Sequence, residues 1–184
     1  GHQAAGVSLE AAKLPEELGR KKNLIWQVPI GKGHSSPVVI GQRIFLTAFE
    51  EGKLLTIAID AVTGKRLWQA DAPYTKLERV HRIGSVATPS VVADADRVVA
   101  LFGSAGIFAY DHNGKPLWQV KLGPFDNSFG SAGSLIIHGD HVITVQDHDT
   151  GSFIAAYDKR TGKLKWRTSR DDFRRNYSTP VVWE

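Results

Sequence analysis

One eleven-residue pattern occurs three times along this chain, and it restricts the fold more than any other feature. Ala58-Ile59-Asp60-Ala61-Val62-Thr63-Gly64-Lys65-Arg66-Leu67-Trp68 returns one residue shorter as Ala109-Tyr110-Asp111-His112-Asn113-Gly114-Lys115-Pro116-Leu117-Trp118, and again as Ala156-Tyr157-Asp158-Lys159-Arg160-Thr161-Gly162-Lys163-Leu164-Lys165-Trp166. The tryptophans are 50 and then 48 residues apart, a period that belongs to repeat architectures. A second signal precedes each unit: Ser36-Pro37-Val38-Val39, Thr88-Pro89-Ser90-Val91-Val92, Gly133-Ser134-Leu135-Ile136 and Thr179-Pro180-Val181-Val182. Between the two signals lie β-branched runs, Ile44 to Thr47, Val98 to Leu101 and Val142 to Val145, bounded by Gly- and Asp-rich turns. Each unit therefore reads as four short antiparallel strands, and such sheets repeated at about 40–50 residues arrange radially as propeller blades.

The motif residues have physical roles. Asp60, Asp111 and Asp158 end the third strand of each unit, where a short carboxylate accepts the turn's own N–H groups; Gly64, Gly114 and Gly162 supply the positive φ of a tight hairpin. Because all three Asp recur in register they read as turn residues and not as catalysts. Trp68, Trp118 and Trp166, with Trp26 ahead of them, read as rings packed between neighbouring sheets with their N–H on a carbonyl. The expected layout is an N-terminal extension over residues 1–23, with one helical turn at Leu14-Pro15-Glu16-Glu17-Leu18. A partial propeller over 24–184 follows: a lone strand near Leu24–Val28, blades at about 35–70, 87–121 and 132–168, and a next blade opening at 178. Three complete blades do not close a ring, so a fragment of a longer propeller is expected, with self-association through open blade edges as the alternative way to cover them. Gly1 in place of Met, and no Met elsewhere, agree with a processed or trimmed chain.

Charge adds a local feature. Eight of the 23 Lys and Arg fall in residues 159–175. In Lys163-Leu164-Lys165-Trp166-Arg167 they alternate with apolar residues at the strand period, which points to a half-solvated strand with a protected edge and not to a nucleic-acid site. No apolar run approaches the roughly 20 residues of a transmembrane helix. The absence of Cys excludes disulfides and thiolate metal sites.

The Ala-x-Asp-x-x-Thr-Gly-x-x-x-Trp unit and the Ser-Pro-Val-Val opener resemble the PQQ-like repeat, shared by quinoprotein dehydrogenases and BamB-type outer-membrane assembly factors. The resemblance covers residues 24 to 184. It implies an exported bacterial propeller of about seven or eight blades, periplasmic or otherwise extracytoplasmic, of which this is the N-terminal part. Quinoprotein dehydrogenases hold PQQ on a Trp floor with a vicinal Cys pair, and a Glu/Asn/Asp set holds calcium beside a catalytic Asp. This sequence has no Cys pair and no acidic cluster matching the calcium set. The expectation is therefore a non-catalytic scaffold for a protein or extended polymer, with no cofactor. The alternatives are part of an oxidoreductase using PQQ with calcium, and a carbohydrate- or ligand-binding propeller.

In an antiparallel blade the connection from second to third strand and the link to the next blade share one face. That face gathers His34, His81, Arg82, Asp126, Asn127, Arg174, Arg175 and Asn176 from the links, and Asp147, His148 and Asp149 from the last complete hairpin. The expectation is a polar funnel for an anionic or hydroxylated ligand. The Asp147-His148-Asp149 triplet offers two oxygens and a nitrogen to a divalent metal, although adjacent side chains of an extended strand diverge. No Ser/His/Asp order, phosphate-cradling Gly loop or paired carboxylate supports catalysis.

Overall fold

A computed structural model describes residues 15–183. The chain is all-β and forms three four-stranded antiparallel blades of a β-propeller, each wound in sequence order from first strand to fourth. The first comprises β1 (Val38–Ile40), β2 (Arg43–Glu50), β3 (Lys53–Asp60) and β4 (Arg66–Ala72); the second β5 (Val92–Ala93), β6 (Arg97–Phe102), β7 (Gly106–Asp111) and β8 (Pro116–Val120). The third holds β9 (Ile136–His138), β10 (His141–Gln146), β11 (Phe153–Asp158) and β12 (Leu164–Ser169). No helix among the described residues is long and apolar enough to cross a membrane.

The repeated Asp and Gly build the same turn three times. Asp60 Oδ1 accepts the N–H groups of Val62 at 3.0 Å and Thr63 at 2.7 Å, and Asp158 Oδ1 accepts those of Arg160 and Thr161, each at 3.0 Å. Asp111, in the shorter copy, takes Asn113 at 2.8 Å and Lys115 at 2.9 Å. These bonds favour the carboxylate. The Thr161 hydroxyl is the leading cause holding Asp158 down at about 2, and the Thr63 N–H is the leading cause lowering Asp60.

Gly64, Gly114 and Gly162 sit at φ of 72°, 87° and 71°, and each carries the ring of the preceding tryptophan. A Cβ on any of them would meet ring atoms of Trp26, Trp68 or Trp118 at 2.7 Å. The same rings donate Nε1–H to Ala61 O at 3.1 Å, His112 O at 2.9 Å and Lys159 O at 2.9 Å. Glycine is thus required twice, by backbone conformation and by the ring on its face. Trp166 departs from the expected packing: it is 42% exposed, because no fourth turn of this kind lies over it among the described residues.

A second ladder joins the blade openers. The Ser36 N–H donates to Ser90 Oγ at 2.8 Å, the Ser90 N–H to Ser134 Oγ at 2.9 Å, and the Ser134 N–H to Thr179 Oγ1 at 3.0 Å. Thr179 thus accepts in this ladder as Ser90 and Ser134 do, although Thr179–Trp183 belongs to no sheet. Leu24–Val28 likewise lies outside the three sheets, since a strand needs a hydrogen-bonded neighbour. Pro15–Leu18 carries no helix and runs into an isolated Gly19–Lys22 bridge, while Leu14 lies outside the described residues.

Blade-to-blade contact is the core. Phe45 and Leu54 meet Val98, Ala100, Phe102 and Phe108 in one cluster; Val99, Leu101 and Ile107 meet Leu135, Val142, Phe153 and Tyr157 in the next. Burial in the first of these clusters pushes the Tyr110 hydroxyl up to about 12.

Candidate polar face at the interblade links

The site is built on the connection Asp147–Ser152 between β10 and β11. In the second blade the same connection is a single 3-10 turn, Gly103–Ala105. The longer third-blade loop folds inward and buries polar groups, so each must find a partner. Asp147, whose side chain has no exposure, receives Arg170 through two bonds, Nε to Oδ1 at 2.9 Å and Nη2 to Oδ2 at 3.0 Å. The Arg170 guanidinium also lies 4.2 Å over the Phe173 ring, and the Asp147 carboxylate raises its pKa. Its planar fork suits a buried carboxylate better than an ammonium would.

His148 is 2% exposed. Its ring stacks on Phe125 at a centroid distance of 3.8 Å, and its Nδ1 lies 3.3 Å from Asn127 Nδ2. An amide NH2 only donates, so Nδ1 accepts and the proton is assigned to Nε2, which is buried without a partner. Burial pushes the imidazole below its ordinary value, and the Glu78, Asp147 and Asp149 charges oppose that only in part. His148 is neutral here.

Asp149 closes the arrangement. Its N–H donates to Asp126 O at 3.0 Å, and its Oδ1 pairs with Arg175 Nε at 2.8 Å. Arg175 lies 5.4 Å over Phe129 and donates to Ser128 Oγ at 3.3 Å, while His81 stacks on Phe129 at 5.9 Å. Ser152 Oγ accepts the His148 N–H at 3.0 Å and donates to Phe173 O at 2.7 Å. From the first interblade link, Glu78 accepts the Ser104 N–H and the Ser131 hydroxyl, each at 2.8 Å.

Of the residues expected on this face, Asp126, Asn127, Asp147, His148, Asp149, Arg175 and His81 come together. Arg82, Arg174 and His34 are exposed, and their side chains enter no hydrogen bond or ion pair among the described residues. His34 instead donates its backbone N–H to Ala87 O at 3.0 Å, and Asn176 Oδ1 serves its own turn by accepting the Ser178 N–H at 2.8 Å. Arg170, Glu78, Phe125, Phe129 and Ser152 were not legible as partners, because each contributes once and breaks the repeat.

The structure gives Asp147, His148 and Asp149, the residues of the metal reading, other partners. Both carboxylates are neutralised by arginines and the imidazole is spread over Phe125. Among the described residues no group of three His, Cys, Asp or Glu side chains is placed to hold an ion.

Comparison with known proteins follows the same lines. A family profile described as outer membrane protein assembly factor BamB matches residues 19–128. The BamB of Burkholderia pseudomallei is 31% identical over 132 residues, which are 71% of this chain and 31% of that protein. The quinohemoprotein alcohol dehydrogenase ADH IIB of Pseudomonas putida is 28% identical over 115 residues, 60% of this chain and 17% of the relative. The crystal structure of BamB from Moraxella catarrhalis superimposes with a TM-score of 0.54 at 16% identity, covering 82% of this chain and 40% of that one. The chain spans about a third of the length of the BamB relatives it matches.

Proposed function

The chain belongs to the PQQ-like repeat family described by the outer membrane protein assembly factor BamB, and on that premise we propose that it serves as a non-catalytic, extracytoplasmic binding module. Its polar face receives a protein or extended polymer. The family holds both assembly factors and quinone-dependent alcohol dehydrogenases, so family alone does not choose between a scaffold and part of an enzyme. One observation carries the choice. The ionisable groups of the third-blade hairpin are spent on partners, with Asp147 on Arg170, Asp149 on Arg175 and His148 held neutral over Phe125. A general base needs a free lone pair within reach of substrate. Here the Nδ1 lone pair faces Asn127, and the two carboxylates are taken. A rigid, charge-paired surface is suited to recognition, where fixed complementarity supplies specificity.

PQQ with calcium, the alternative cofactor, does not fit these residues: calcium takes several carboxylate and carbonyl oxygens, whereas Asp147 and Asp149 already pair with guanidinium groups and Glu78 is taken by the Ser104 N–H and the Ser131 hydroxyl. The decisive experiment is titration of the 184-residue chain with PQQ and calcium, followed by tryptophan fluorescence. No saturable quenching is expected. Saturation at submicromolar PQQ would overturn the scaffold reading.

A further inference from the structure

Next to the polar face, and lined by none of its paired charges, a cleft of about 280 Å3 opens between the first two blades. Its walls come from the segment leaving β4 (Tyr74, Lys76), the 3-10 turn between β6 and β7 (Ala105), β7 (Phe108) and the end of β8 (Val120, Lys121). The interior is mostly apolar, and two cations stand at the mouth. Lys76 and Lys121 are exposed and make no ion pair among the described residues. No Asp or Glu lines the cleft. Its position is fixed from behind, because Ser104 in its wall receives the Phe125 N–H on Oγ at 3.0 Å and gives its own N–H to Glu78.

We propose that this cleft docks an acidic, extended peptide segment of a partner protein, one apolar side chain entering the cavity and carboxylates meeting Lys76 and Lys121. Three features select that occupant. The cavity lies below the roughly 300–1,000 Å3 of pockets that enclose a whole small molecule, yet it has room for a single Leu or Phe side chain. The unopposed lysines supply the charge complementarity that favours an anionic partner. Finally, β8 is the outer strand of its blade and pairs only with β7. Its free edge, blunted by Pro116 at one end only, offers main-chain groups beside the cavity where an extended segment adds as a strand.

The test uses the intact chain and three fluorescein-labelled peptides of equal length, alternating Glu with Leu, Lys with Leu, and Glu with Ser, read by fluorescence anisotropy at low and high salt. The Glu/Leu peptide is expected to bind saturably and to weaken as salt screens the two lysines. The double variant Lys76→Glu, Lys121→Glu should lose about tenfold or more in affinity. Thr75→Trp, which fills the mouth from an exposed position, should weaken binding without touching charge. Equal binding of the Lys/Leu peptide, equal binding of the Glu/Ser peptide, or unchanged affinity in both variants overturns the proposal. Free glutamate competing as well as the peptide would reassign the cleft to small anions and overturn it too. The outcome is separable from the PQQ titration, since the peptide is read by its own fluorescein anisotropy and the variants at Thr75, Lys76 and Lys121 alter no paired charge of the polar face.

Discussion

The second and third blades carry the same repeat, yet their central strands are buried differently. All six residues of β6, Arg97 to Phe102, are buried, whereas the equivalent β10, His141 to Gln146, alternates half-buried and buried. Val98, Ala100 and Phe102 face the first blade; Val99 and Leu101 face the third. On β10 only the Val142 side meets a neighbouring blade, and Ile143 and Val145 look away from it. The difference lies outside the strands themselves. A blade's strands are specified by its own sequence, but the worth of each apolar side chain depends on the sheet stacked against it.

The largest effect expected from that contrast is at the tryptophans. Trp118→Ala removes a ring seated on Gly162 and a bond to Lys159 O, and should cost about 2–4 kcal/mol in urea unfolding. Trp166→Ala, at 42% exposure, should cost about 1 kcal/mol or less. Equal losses would break the comparison.

Next comes the central strand. Val99→Ala empties a fully buried site between two blades and is expected to cost about 2 kcal/mol, against about 1 kcal/mol or less for Val145→Ala on the half-buried side of β10. Thermal or urea midpoints of the two variants sharpen the contrast, since both delete the same atoms.

The smallest effect is in pH dependence, and it belongs to the third-blade loop alone. His148 is held below its ordinary 6.5 by burial, so the unfolded chain takes up a proton that the folded one refuses. Stability from this group is therefore present above about pH 6.5 and is lost as pH falls from there through the lower folded value. The turn carboxylates behave differently: for Asp158 the loss comes only between 3.8 and about 2. Urea midpoints measured from about pH 7 to about pH 5 should slope downward with acid, and His148→Gln should flatten that slope. An unchanged slope in the variant would show that His148 is not the group responsible.

Much of the fold was legible because propeller repeats write their local chemistry three times over. Asp60, Gly64 and Trp68 announce a turn, a positive φ and an interblade ring, and their recurrence separates turn-forming from catalytic reading. The hydroxyl ladder through Ser90, Ser134 and Thr179 was visible as an opener but not as a set of bonds, because nothing in Ser-Pro or Gly-Ser states which blade supplies the donor. The polar face was legible only as a list of loop residues.

The sequence by itself determined the strand order, the turns and the family, since these rest on local conformational preference and on a period read along the chain. Only the tertiary structure decided that Asp147 belongs to Arg170, that Asp149 belongs to Arg175 and that His148 lies neutral on Phe125. Those pairings join the hairpin of the third blade to the link before that blade and the segment after it. Which charge meets which there is set by distance and desolvation between the folded segments, quantities that no one-dimensional spacing contains.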